Sequence, residues 1–548
     1  MTPKTLRKSS LTATAVVVAL SAAACGGSSG GAGNAEATKE KIAFANTTPA
    51  ADGQLESATW MMPKEPPSLD LDADAATSQS DLIMSNVCER LMQLQPGLDV
   101  QPHLATDYEW RSDTELVFTL RDDVVFHDGS PMTADDVVWS MRRHMADDAA
   151  ESDEFGNVRS VEKTGAAEVT FTMTQSDAVF VQALAGDAGV VLSRKLVEAQ
   201  GADYGTTKGT DACSGPFALS SWESGKQVVL TKADDYWNGE RAAKTDQITF
   251  RWASDDAIVN SLVTGDATGT YLENLSAASR LVQDENITVA QGEDTRVWSM
   301  MVTERGGLAD VRLRHALSLA FDRQGANQAG LSGLGQPWKE PVGSGAWSYE
   351  KKTFEAAYDA LEWSPTELSE KNIQQAKELV EEVGSTTPIV VATDGSPTRS
   401  ALAEAAVSAA KSIGLQASIV RIPTAQYSDY YSDPALRERA DLFADDYFVS
   451  KYDPVGFYKN GASDSEVQWL LKDKEYDALV GQARASTDEG ERAEIAIQLS
   501  QRWAETMPWI SAFSSPATVA FSADVTGVPA SGSFRYYPWA ADLGSKGN

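Results

Sequence analysis

Residues 115–141 read ELVFTLRDDVVFHDGSPMTADDVVWSM, and this stretch changes period twice. Leu116, Phe118 and Leu120 alternate with less apolar neighbours, the pattern of a half-buried strand. Asp128-Gly129 then marks a turn, because glycine enters left-handed backbone without a Cβ penalty. Thr133 stands three residues before Asp136, and Val137, Val138 and Met141 follow at helical spacing. A hydroxyl and an acid so placed satisfy each other's orphan backbone donors, so a capped helix is predicted from Ala134. Strand, turn and helix within one short stretch point to mixed α/β structure.

The cadence repeats further on. Ile248, Phe250 and Trp252 alternate as in a strand. Ile373, Ala376, Leu379, Val380 and Val383 fall on one helical face that stops at Gly384. Residues 389–392 form an apolar strand candidate. Leu402, Ala405, Ala406, Ala409 and Ile413 make a second helix ending at Gly414, followed by a strand over 417–421. Helices alternating with strands argue for an α/β lobe. With 548 residues the chain exceeds what one core usually organises, so two or more lobes are expected. Its 42% hydrophobic and 23% charged content excludes wholesale disorder and a polytopic membrane protein. A net charge of −33 repels a phosphate backbone, so no nucleic-acid partner is expected.

The N-terminus carries Lys4, Arg7 and Lys8 before an apolar run over 11–24, too short to span a bilayer. It reads as a secretory signal over 1–24. The run ends in three alanines and Cys25, which resembles a bacterial lipoprotein signal with Cys25 as the lipidated first residue; alanine stands at 22 where leucine is usual. Residues 25–53 are mostly small and polar, the composition of a flexible tether. The expected place is the extracytoplasmic face of the cell membrane, lipid-anchored, or the periplasm where an outer membrane exists. Cys88 and Cys213 remain in an oxidising compartment, where a disulfide is permitted.

Signatures of catalysis are weak. G-x-S-x-G is matched only within the Gly/Ser run over 26–31, which has no strand before it to make a nucleophile elbow. S-x-x-K is matched at Ser160 and at Ser408, among other places, but the K-T-G match shares Lys163 with the first, and one residue cannot serve both stations. His103, His127, His144 and His315 are scattered, with no H-E-x-x-H and no C-x-x-C. No enzyme, metal or cofactor is expected, and a secreted hydrolase is the rival reading.

Four blocks carry a resemblance. The first runs through Asn86-Val87-Cys88-Glu89-Arg90-Leu91, Gln101-Pro102-His103-Leu104-Ala105 and the stretch from Phe118 to Val137. The second is Ser214-Gly215-Pro216-Phe217 with Tyr236-Trp237. The third is Asp310-Val311-Arg312-Leu313-Arg314 with Asp322-Arg323, and the fourth joins Tyr476-Asp477, Arg484 and Arg492 to Met507-Pro508-Trp509. Together they resemble the family 5 extracellular solute-binding proteins of ABC importers, the peptide and nickel type. That resemblance implies a two-lobed α/β periplasmic-binding-protein-like fold of type II, cluster C-like, with an extra subdomain in the first lobe. It implies a first lobe over 54–290, a second over 291–505, and a return to the first over 506–548. Cys88 and Cys213 stand where the family has other residues, which favours their pairing.

The resemblance further implies capture of di- or oligopeptides between the lobes for a permease and ATPase, by a monomer. An oligosaccharide, a glutathione-like conjugate or a nickel complex is the alternative cargo, and a folding helper or sensor is a third use of the scaffold. A peptide needs an acid for its α-ammonium, because a buried ammonium without a partner is costly. The candidates are Glu65, at an offset from Asp70 where oligopeptide binders have a lining acid, and Asp445 or Asp446. Asp445-Asp446-Tyr447 matches the family's ammonium-binding stretch if aligned on Asp-Tyr, whereas alignment on Asp453-Pro454 puts Ser450 in the aspartate's place. Tyr447, Tyr452 and Asp453 belong to the same stretch. Arg399 is a candidate for the carboxylate, with a helix-start role as its plainer reading, and Trp347 is a candidate aromatic wall or core residue.

Overall fold

The computed structural model describes residues 42–73, 77–384 and 387–547. Cys25 and the signal segment lie outside the described residues. Two sheets dominate. The first, mixed, orders its strands Ala43–Phe44, Ile287–Gly292, Ala517–Ser522, Gly269–Tyr271, Ala58–Met62, Gln247–Trp252, Gln227–Lys232 and Phe217–Glu223. The second orders Gln336–Pro337, Trp509–Ser514, Val297–Val302, Leu442–Tyr447, Ile389–Thr393 and Ala417–Arg421. Each sheet is the spine of one lobe. A separate antiparallel sheet of Ala105–Ser112, Glu115–Leu120, Glu168–Met173 and Val158–Gly165 forms a subdomain of the first lobe.

Local sequence explains the elements. In Glu115–Leu120 the side chains of Leu116, Phe118 and Leu120 are buried while Thr119 faces water. Val117 is buried as well, a departure from strict alternation. Thr133 accepts from the backbone N–H of Asp136 and donates its own N–H to the Asp136 carboxylate at 3.0 Å. Gly129 has φ +77°, the left-handed turn that its Asp-Gly pair requires. The helices Glu370–Val383 and Pro397–Ser412 pack against the second sheet's core, and Gly384 closes the first at φ +63°.

The chain leaves the first sheet at Gly292 and enters the second at Val297, then returns between Ser514 and Ala517. The return crossing is thus Ser515-Pro516, later than the boundary at 506 expected from sequence, because Trp509–Ser514 still pairs with Val297–Val302. The tether expectation is also corrected at its end. Ala43–Phe44 adds a parallel strand beside Ile287–Gly292, and the N–H of Gly53 donates to the Ser545 carbonyl at 3.1 Å. Backbone pairing there overrides a composition that looks structureless.

The signature blocks knit into one knot. The Glu89 carboxylate accepts from Ser214 Oγ at 2.8 Å, Tyr236 Oη at 2.7 Å and Trp237 Nε1 at 2.7 Å, and His103 Nε2 lies 2.9 Å away. Burial pushes this carboxyl up, but the hydrogen bond and charge of His103 and the bonds from Trp237 and Tyr236 hold it below its ordinary value. Beside it Cys88 and Cys213 form a disulfide with Cα atoms 4.7 Å apart, spanning 125 positions. Closing a loop of that length contributes roughly 4–5 kcal/mol in the chain-entropy account. A Cβ on Gly215 would come within 2.5 Å of the Val87 carbonyl, so only glycine lets the two signature segments approach.

Two buried histidines serve as clamps. His127 bonds Asp211 at 2.6 Å and the Gly215 carbonyl at 2.8 Å, while His144 bonds Asp72 and the Val190 carbonyl. Burial lowers both imidazoles, yet their carboxylate partners lift them above the ordinary 6.5. Stability from these pairs is therefore complete below pH 6.5 and is lost as pH climbs through the folded values. The melting temperature is expected to fall on going from pH 6.5 to 9, and less steeply in a H127Q/H144Q variant. An equal slope in both proteins would show that the histidines do not carry it.

Candidate ligand-binding site

The two crossings place a hinge between the lobes. Asp294 anchors it: its carboxylate accepts from Arg535 Nη2 at 3.0 Å and Nη1 at 3.2 Å, both side chains almost fully buried. The N–H groups of Gly343 and Gly345 donate to the carbonyls of Thr295 and Asp294, and a Cβ on either glycine would collide with this backbone. A small pocket opens here, lined by Met62 and Pro63 of the first lobe, Asp294 and Arg296 of the crossing, and Phe534 and Arg535 of the return segment. Further along the seam lies a wider space, between Asp153 and Gln175 on one side and Tyr447, Lys459, Asn460 and Arg484 on the other.

The lobes touch across this seam. The Asp177 carboxylate accepts from Arg484 Nε at 3.0 Å and from its Nη2, and Ser176 Oγ donates to the Ala485 carbonyl at 2.8 Å. Val179 of the first lobe sits in the second lobe's core, and Tyr452 of the second sits in the subdomain's core. Lys451 pairs with Glu154.

Of the residues expected at the site, three reach the seam or hinge. Asp446 lies 3.3 Å from Arg296 at the hinge. Tyr447 lines the outer space, its hydroxyl accepting from Asn460 at 3.1 Å. Tyr452 is buried, its hydroxyl next to the Asp294–Arg535 pair of the hinge. The other five have structural partners. Glu65 accepts from Trp222 Nε1 at 3.0 Å and from the N–H of Gly225, so it ties down a hairpin turn. Asp445 is bound by Arg399 at 2.6 Å and by Tyr430 Oη at 3.2 Å. Arg399 divides its guanidinium between Asp445 and Asp394 and lies over the Tyr427 ring. Asp453 caps the helix Pro454–Tyr458 and is held by Arg492 Nε at 2.9 Å. Trp347 packs against Trp338 and Tyr358.

Three acids of the first lobe were not singled out by sequence reading. Asp81 comes from the helix Ser78–Met84, Glu151 from the turn before Ser152–Phe155, and Asp187 from the turn Asp187–Gly189. The charges of all three act on the Tyr536 hydroxyl. Arg90 donates to Asp187 at 2.6 Å and lies over the Tyr536 ring. Among the described residues no hydrogen bond or ion pair reaches the side-chain carboxylates of Asp81 or Glu151. Burial, then the Asp187 charge, pushes Asp81 well up and Glu151 to about 7. Lys451 is pushed down to about 7 by burial, then by the charge of Lys459. No local motif marks Asp81 or Glu151, since they meet only through the tertiary fold.

Residues 99–469 match the family model described as bacterial extracellular solute-binding proteins, family 5 Middle. The chain belongs to this family. Among the relatives of this solute-binding protein is the Probable D,D-dipeptide-binding periplasmic protein DdpA of Escherichia coli K12, 25% identical over 78% of this chain and 82% of its own. Heme-binding protein A of Haemophilus influenzae is 23% identical over 77% of this chain and 81% of its own. The crystal structure of the ABC transporter substrate-binding protein CtaP from Listeria monocytogenes shares the two-lobed fold, with a TM-score of 0.77 at 19% identity, covering 90% of this chain and 100% of that one.

Proposed function

We propose that this solute-binding protein is the receptor of an ABC importer and captures short peptides between its lobes for a membrane permease, without covalent chemistry. The observation that carries the reading is the pocketed seam, walled by both lobes and joined by two short crossings. A solute held there contacts both lobes, so it stabilises the closed arrangement selectively, and a permease can tell loaded from empty. The dipeptide-binding relative supports a peptide cargo. The heme-binding relative supplies the rival. Lipidation of Cys25 in the extracytoplasmic compartment would keep a monomeric receptor near its permease.

A thermal-shift screen of purified protein against di-, tri- and longer peptides, hemin, nickel and oligosaccharides tests this. Ligands of the folded form raise the melting temperature by mass action. A shift with peptides is the expected result. A shift with hemin, metal or sugar in the absence of any peptide response would overturn the peptide cargo.

A further inference from the structure

We propose that Arg296 and Ser515, one on each crossing, hold the free carboxylate of the solute in the hinge pocket, so that the cargo is a peptide with an unblocked C-terminus, bound with that end inward. This rests on the peptide reading above and names the end of the peptide that is recognised.

The bonding of the arginines carries it. Arg296 lines the hinge pocket. Among the described residues none of its side-chain nitrogens donates a hydrogen bond. Its Nε is shut off from water, and the carboxylate of Asp446 lies 3.3 Å away but out of line. Other arginines at this depth are engaged. Arg399, 22% exposed against 25% for Arg296, holds two carboxylates at once, those of Asp394 and Asp445. Arg437 donates to Glu304 and to the carbonyls of Tyr430 and Tyr431. Arg535, the other cation that lines the pocket, is bound twice by Asp294. Of these four, Arg296 alone faces a cavity with its donors unmatched. A desolvated charged donor without an acceptor is unfavourable.

A second donor stands beside it. The N–H of Ser515 donates to the Arg296 carbonyl at 3.0 Å, which joins the two crossings. The Ser515 side chain lines the same pocket, and its hydroxyl makes no hydrogen bond among the described residues. A planar fork and a hydroxyl together match the two oxygens of a carboxylate. Asp446 need not leave, since Arg399 shows one guanidinium holding two carboxylates. A phosphate fits less well, because its second charge adds to the repulsion from Asp446, Asp294 and Glu273. Leu82 and the stacked rings of Tyr271 and Phe534, with centroids 3.8 Å apart, offer the terminal side chain an apolar wall. The rest of the peptide then runs outward along the seam, towards Tyr447 and Lys459.

Titration calorimetry of the full protein with three probes tests this: trialanine, trialanine C-terminal amide and propionate. Amidation keeps the length and the α-ammonium but removes the carboxylate. Trialanine is expected to bind at least about tenfold tighter than its amide, as a charge-assisted bond requires. R296Q should bring that ratio close to one, S515A should lower it in part, and R296K, which keeps the charge without the fork, should retain some of it. The melting temperature of free R296Q should barely move, because Arg296 makes no in-line bond within the protein. Should R296Q melt early, S515A decides alone, and an unchanged ratio there would overturn the carboxylate seat. Equal affinity for acid and amide, or a preference that survives in R296Q, would overturn the seat and leave the peptide reading standing. Propionate binding that is lost in R296Q, with no response to either peptide, would keep the seat and overturn the peptide reading. Silence from all three probes would overturn the seat.

Discussion

Glu89→Ala is expected to destabilise the first lobe by about 3–5 kcal/mol, the range for breaking a buried charged pair from one side. Glu89 is 3% exposed and accepts from Ser214, Tyr236 and Trp237, with His103 against it. Truncation strands all four groups at once, and stranded buried donors lose their water without gaining a replacement. The loss should appear as a lower denaturant midpoint with an unchanged slope. Glu89→Gln keeps the shape and one acceptor oxygen, so it should lose less. A measured cost for Glu89→Ala below about 1 kcal/mol would mean that water or rearranged side chains replace the carboxylate, and that the knot does not hold the lobe.

This knot also shows what a sequence makes legible. Asn86 to Leu91, His103, Ser214 to Phe217 and Tyr236-Trp237 are far apart along the chain, and all of these blocks meet at one carboxylate, that of Glu89. The blocks that carry the resemblance are thus blocks that build the scaffold. The strand at Glu115–Leu120 and the capped helix after it read for a simpler reason, since their chemistry is local. The cargo site reads poorly. Asp445 and Arg399 look like ligand groups by position, but they neutralise each other at 2.6 Å. Glu65 sits at a promising offset, yet a hairpin turn takes both its oxygens. Trp347 follows a glycine pair that suggests a loop, yet it packs against Trp338 and Tyr358.

The contact between Asp177 and Arg484 joins the lobes, so its removal should alter closure more than folding. Asp177 is 0% exposed and Arg484 is 24% exposed. Within its own lobe Asp177 receives a side-chain bond from Asn157 at 2.8 Å. When the lobes part, water can solvate both charges. The pair's loss therefore weighs on the closed form alone. Arg484→Met keeps the aliphatic stem but leaves Asp177 buried without its cation each time the lobes close. The cost is about 2–3 kcal/mol, towards the low end for buried pairs because Arg484 is partly solvated. Apparent affinity for the best dipeptide should fall about 30- to 150-fold, while the denaturant midpoint of the free protein barely moves. Small-angle scattering at saturating peptide should still show closure, since enough ligand restores the balance. Adding Asp177→Asn to Arg484→Met removes the stranded charge and should recover part of the lost affinity, a coupling that a double-mutant cycle measures directly. If Arg484→Met leaves affinity unchanged, or if the two substitutions simply add, the contact is not a latch, and closure rests on Val179, Tyr452 and the ligand itself.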